Sequence, residues 1–155
     1  MADNRNAAAD HFVESMGLHF EADGMPRIAG RILGLFILEG GPLSFAVLAE
    51  RLKISRASVS TNTRLLAEMG VIERTTVSGE RQDYFRMADS PYVCLLHKMA
   101  DRADKAARMT DQAVAGLVES DPDVRRRLGA FSEFQRAIAT SAKRLANSIR
   151  NPAKH

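Results

Sequence analysis

Apolar positions recur along most of this chain at intervals of three and four residues, the spacing of one helix face. From about Ala8 to Ala22, Phe12, Met16, His19 and Phe20 share such a face, and Asp23-Gly24 ends it. Pro26 suits the first turn of a second helix, where its missing N–H costs nothing. That helix carries Ile28, Ile32, Leu35, Phe36 and Leu38 and stops at Gly40-Gly41-Pro42. Ser44 is an N-cap residue type before a short third helix, Phe45–Leu52, with Phe45, Leu48, Ala49 and Leu52 inward. After a Lys53-Ile54 turn, Ser55 caps a fourth helix whose buried stripe is Val59, Thr63, Leu66 and Met69 and whose C-cap is Gly70. The period then changes. Val71–Val77 and Gln82–Met87 read as two strands around the turn Ser78-Gly79-Glu80.

The last third returns to helix. Ser90-Pro91 opens a fifth helix running to about Glu119, with Val93, Leu96, Ala100, Ala103, Ala107, Thr110, Val114 and Leu117 alternating by three and four. Asp121-Pro122 opens a sixth, with Val124, Leu128, Phe131, Gln135, Ile138, Ala142, Leu145 and Ile149 in the same rhythm. Such a repeat is the seam of a coiled coil. Each helix extends on the order of 40 Å at 1.5 Å per residue, too long for a small head to cover. The pair is expected to form an antiparallel hairpin, and two hairpins can pair between subunits. The alanines and Thr110 of the fifth helix allow a partner helix to come close. Asn151–His155 are expected to fray.

The order helix, turn, helix, strand, turn, strand from Phe45 to Met87 is that of a winged helix-turn-helix. The fold class is therefore mainly α with a small β wing. The 155 residues read as one domain. Within it, 26–89 form the winged head, while 8–22 and 90–150 form a helical dimerisation region. A charged fraction of 26% beside 45% hydrophobic residues marks a globular chain. The net charge of +3 permits nucleic-acid binding without demanding it, so its distribution matters more. Between Arg51 and Arg86 seven basic residues (Arg51, Lys53, Arg56, Arg64, Arg74, Arg81, Arg86) stand against four acidic ones (Glu68, Glu73, Glu80, Asp83). The N-terminus has no apolar leader, no apolar run approaches the roughly 20 residues that span a bilayer, and the single cysteine excludes an internal disulfide framework. A cytoplasmic protein is expected.

Taken as a recognition helix, the fourth helix opposes its buried stripe with Arg56, Ser58, Thr61, Asn62 and Leu65, with Arg64 at the edge. Ser55 and the neighbouring hydroxyls can hold phosphate at the helix N-terminus, aided by its dipole. Asn62 has the donor–acceptor pair that matches an adenine edge, and Arg56 or Arg64 suits guanine or phosphate. Arg81, beside Glu80 at the wing turn, can enter the minor groove, with Asp83 holding it as an ion pair. The plainer reading of each is solvated helix surface or an exposed salt bridge of little energetic consequence. The candidate DNA-binding residues are thus Ser55, Arg56, Ser58, Thr61, Asn62, Arg64 and Arg81.

The segment SRASVSTNTRLLAEMGVIERTTVSGERQDYFRM, from Ser55 to Met87, resembles the MarR superfamily of winged-helix regulators. The stretches MGLHFEADGMPRIAGRILGLFIL and GERQDYFRM look like its GbsR-like branch. The resemblance covers about residues 10–90 by motif and the rest by architecture. It implies a homodimeric transcriptional regulator on pseudopalindromic double-stranded DNA, with the terminal helices as the dimer interface; a repressor is expected. The family often has an acidic residue two positions before the wing arginine; here that position is Gly79, and Glu80 adjoins it.

Other signals are weaker. Cys94, near Tyr92, His97 and Lys98, raises a single-cysteine redox regulator as an alternative, but a sensing thiol needs a stabilised thiolate, and a packing role suffices. His11 with His19, and His97 with Asp101, have helical spacing without a cluster of ligands, so no metal or cofactor is expected. Gly30 and Gly34 allow the second helix to pack closely on a neighbour. Phe12, Phe20, Phe36, Phe131 and Phe134 serve a core as readily as an effector pocket, so any small-molecule effector is unidentified. No phosphate loop or nucleophile elbow is present, which argues against an enzyme. A winged-helix module that binds protein is the other alternative; salt-dependent duplex binding separates the two.

Overall fold

The structure is a computed structural model that describes residues 2–117 and 121–150, with side chains from residue 5 onward. The expected end of the fifth helix at Glu119 and the frayed tail 151–155 lie outside the described residues. The chain forms two compact units, 1–91 and 92–155.

The first unit runs α1 (Ala2–Ala22), α2 (Arg27–Glu39), β1 (Leu43–Ser44), α3 (Phe45–Leu52), α4 (Arg56–Met69), β2 (Ile72–Thr75) and β3 (Tyr84–Met87). Helix α1 starts earlier than its apolar face suggested, because the alanine-rich segment before it is a strong helix former. It packs along α2, and glycine is required there. A Cβ on Gly30 would stand 2.3 Å from the Met16 carbonyl oxygen, and one on Gly34 3.2 Å from the Val13 Cα. The paired glycines therefore let two backbones touch, as their spacing suggested. His19, read as part of the inward face, is instead exposed and lies 3.7 Å from Asp23.

The sequence pattern missed β1. Leu43 and Ser44 pair antiparallel with Phe85 and Tyr84, giving the sheet order β1-β3-β2. Two residues are too few to show a period. The link into β1 depends on Gly41, whose φ is +92° and where a Cβ would stand 2.7 Å from the Phe85 carbonyl oxygen. The wing strands are shorter than the alternation implied: Ile72 pairs with Met87, and Thr75 with Tyr84. Phe36, Ile32, Leu48, Leu66, Ile72, Val59 and Val71 make the core. Thr63 is buried with them, its hydroxyl donating to the Val59 carbonyl at 2.8 Å.

The second unit is an antiparallel hairpin of α5 (Pro91–Gly116) and α6 (Pro122–Arg150). On α5 the buried line is Val93, Ala100, Ala103, Ala107 and Thr110, as the repeat predicted, although Leu117 is exposed. The line on α6 is different. Ala142 of the expected seam is buried, but with Ser132, Ala139 and Ala146, whereas Phe131, Leu145 and Ile149 of that seam are exposed. Alanine facing alanine lets the helix axes approach, which displaces the bulky residues to one side. A ladder of polar pairs closes the other side at heptad intervals: Asp111 with Arg136, Asp104 with Lys143 at 2.6 Å, and His97 with Arg150 at 3.5 Å. The Lys143 ammonium holds the Asp104 carboxyl below its usual range.

A candidate DNA interface on the helix-turn-helix and wing

Helix α3 ends at Lys53, whose left-handed backbone (φ 53°, ψ 49°) makes the turn into α4. The Ser44 hydroxyl caps α3 by accepting from the Val47 N–H at 3.3 Å. The Ser55 hydroxyl caps α4, accepting from the Ser58 N–H at 3.1 Å and donating to the Ser58 hydroxyl at 3.0 Å. Two hydroxyls and the free N–H groups of a helix terminus thus meet at the exposed end of α4, beside exposed Arg56. Gly70, at φ 81°, ends the helix and sends the chain into β2.

Thr61 and Arg64 are exposed along α4, with Ala57 and Glu68, while Ser58 and Leu65 are half-buried. This outward face is turned about a quarter of a helical turn from the one read in the sequence. Arg64 stands in its middle rather than at its edge. Asn62 is not on it. It is only 6% exposed, and its Nδ2 donates to the Ser58 carbonyl at 2.8 Å. Both α2 and α3 pack on α4, so the buried arc is wider than the apolar stripe and takes Asn62 in. Its Oδ1 is buried with no partner among the described residues.

Ion pairing sorts the basic residues of this region. Arg51 pairs with Glu39, Arg74 with Asp83, and Arg86 with Glu73 and Asp89. The hydrogen bond from Arg86 draws the Asp89 carboxyl down and raises the guanidinium in turn. Lys53, Arg56, Arg64 and Arg81 are left with no ion pair among the described residues. The expected contact of Asp83 with Arg81 is absent: Asp83 accepts from Arg74 Nε at 3.0 Å. Arg74 lies on β2 opposite Phe85, two residues along from Asp83, whereas Arg81 belongs to the turn beyond the paired strands. Arg81 is exposed there, past Gly79 at φ 83°.

Between α4 and the wing runs a cleft of about 340 Å³ lined by Ser60, Arg64, Arg74 and Asp83, floored by Phe45 and Phe85. Those two rings stack at 5.5 Å. Sequence reasoning passed over Ser60 and Arg74. The first shares a face with Arg64 four residues on, a signal that was available; the second is identified only by the strand register.

The profile of the MarR family matches residues 23–82, which is α2 through the wing turn. The chain is 36% identical over 122 residues to the HTH-type transcriptional regulator MmpR5 of Mycobacterium tuberculosis, covering 76% of this chain and 72% of that protein. It is 21% identical over 131 residues to the HTH-type transcriptional repressor OpcR of Bacillus subtilis, covering 84% and 71%. A crystal structure of a transcriptional regulator superposes with a TM-score of 0.85 at 27% identity, over 92% of this chain and 98% of that one. With its capped helix α4, its three-stranded wing and these relatives, the chain belongs to the MarR family of winged-helix transcriptional regulators.

Proposed function

We propose that the protein is a homodimeric repressor that reads a pseudopalindromic operator, and that it falls in the GbsR-like branch of its family. The observation that carries the DNA-facing part is the set of cations without carboxylate partners among the described residues, Lys53, Arg56, Arg64 and Arg81, around the exposed end and face of α4 and the wing turn. Phosphates would meet Ser55, Ser58 and Arg56 at the α4 N-terminus. Thr61 and Arg64 would face base edges in the major groove, and Arg81 the adjacent minor groove. Asn62 has no part in this reading, since its amide is bound within α4. The branch assignment rests on the motifs from Met16 to Leu38 and from Gly79 to Met87. Repression accords with the name of the Bacillus relative OpcR.

The dimer is supported by the hairpin. Phe131, Phe134, Leu145 and Ile149 are 43%, 60%, 50% and 44% exposed, an unusual set of large apolar groups for one helix to leave in water. Phe134 and Leu145, with Leu96, Met99 and Ile138, border a groove of about 380 Å³. Sequencing the genomic fragments retained by the protein, then titrating the recovered site at several salt concentrations, tests the reading. A repeated half-site and an affinity falling by roughly 0.9 log units per phosphate contact for each tenfold rise in salt are expected. Binding that is absent, or unaffected by salt, would favour the protein-interaction alternative.

A further inference from the structure

A cavity of about 310 Å³ opens between α1, α2 and the end of α3, entirely within the first unit. This is the lower end of the range for small-molecule sites. Val13, Leu35 and Leu52 form its floor and are buried. Five charged residues line it: Asp10, Glu14, Arg31, Arg51 and Lys53. They are not equivalent. Glu14 accepts from Arg31 Nε at 2.7 Å and from Arg27 Nη2 at 3.2 Å, so both its oxygens are engaged. Arg51 is paired with Glu39. Asp10 and Lys53 are exposed and have no ion pair or side-chain hydrogen bond among the described residues. The cavity therefore offers one unanswered negative charge and one unanswered positive charge over an apolar floor.

We propose that this cavity binds a small zwitterion, its ammonium on Asp10, its carboxylate on Lys53 and a short apolar body on the floor between them. A simple carboxylate would be drawn to Lys53 but repelled by Asp10, and a simple amine would meet the reverse. A molecule carrying both charges answers both walls at once. The location also gives the site a consequence. Lys53 makes the turn between α3 and α4 and stands two residues before the Ser55 cap. A ligand held there ties α1 to the turn that sets the recognition helix, so occupancy changes operator affinity. That second part rests on the DNA-binding reading above; the binding itself does not.

Calorimetry on the chain without DNA tests the site. The probes are β-alanine, γ-aminobutyrate and ε-aminocaproate, each beside the carboxylate and the amine of matching length. At least one zwitterion should bind about tenfold more tightly than both of its singly charged analogues, and Asp10→Asn and Lys53→Met should each weaken it about tenfold. Both side chains are exposed, so the variants should keep the parental melting temperature. No binding by any zwitterion, equal binding by an analogue, or binding that survives both substitutions would overturn the site. Operator affinity is then measured with and without the bound zwitterion. A shift supports the coupling, and an unchanged affinity overturns it while leaving the site intact. A chain that takes the zwitterion but fails to bind duplex DNA would instead sink the DNA-binding reading.

Discussion

Between residues 51 and 86, Arg56, Arg64 and Arg81 differ from the other arginines in having no carboxylate partner among the described residues. Composition counts all of them alike, and only the fold shows which charges are already spent on one another. Arg81→Ala is expected to weaken operator binding by roughly 1–3 kcal/mol with no change in melting temperature, since a side chain at the wing turn has no core to leave. Fluorescence anisotropy at fixed salt measures this, and parental affinity would remove Arg81 from the interface. Asn62 gives the opposite case. Its residue type suits adenine, but sequence spacing could not show that α2 and α3 together bury its side of α4. An orphaned buried acceptor costs about 1–3 kcal/mol. Asn62→Leu, which keeps the branched side-chain skeleton without its polar atoms, should therefore hold or raise stability and leave base preference unchanged. A binding-site selection on that variant that returns an altered motif would restore Asn62 to the groove.

Elements were legible where a cap or a period was strong. The Ser44 and Ser55 caps, the Gly70 stop and both proline starts of the long helices could be read because each depends on a local hydrogen bond or a fixed backbone angle. Strand β1 could not be read, since two residues carry no period. The α6 face could not be read either. Leucine, isoleucine and phenylalanine mark an apolar surface, but the alanines beside them decide which part of it meets α5. Two predictions belong to this scale. Gly30→Ala would drive a methyl group into the Met16 carbonyl and prise α1 from α2, costing roughly 1–3 kcal/mol by urea unfolding. The pH response of the hairpin follows from Asp104. Its carboxyl lies below the ordinary value of 3.8 in the fold because Lys143 favours the charged form. The stabilisation is thus present above that ordinary value and fades as pH falls through the lowered one. Asp104→Asn should flatten this acid limb in thermal melts; an identical limb in the variant would assign it to other carboxylates.

At the scale of the molecule, the proposed dimer turns on the hairpin, which would decide whether two heads can act together. The heptads predict its two long helices, and large apolar side chains of α6 are exposed in the single chain. The apolar groups left outside the alanine seam are the largest on α6. Leu145 and Ile149 are half-exposed in the single chain, so replacing both with Asp should leave α5 and α6 helical and the head folded. In a dimer the same positions would be covered, and two buried carboxylates would cost several kcal/mol. The double variant is therefore expected to be a folded monomer by sedimentation velocity, with parental helix content by circular dichroism. Operator affinity should fall sharply, because a monomer reads a single half-site and loses the linkage of the second. Affinity for an isolated half-site should stay within about twofold, since neither residue belongs to the head. A double variant that sediments as a dimer and keeps full operator affinity would move the interface away from this face of α6.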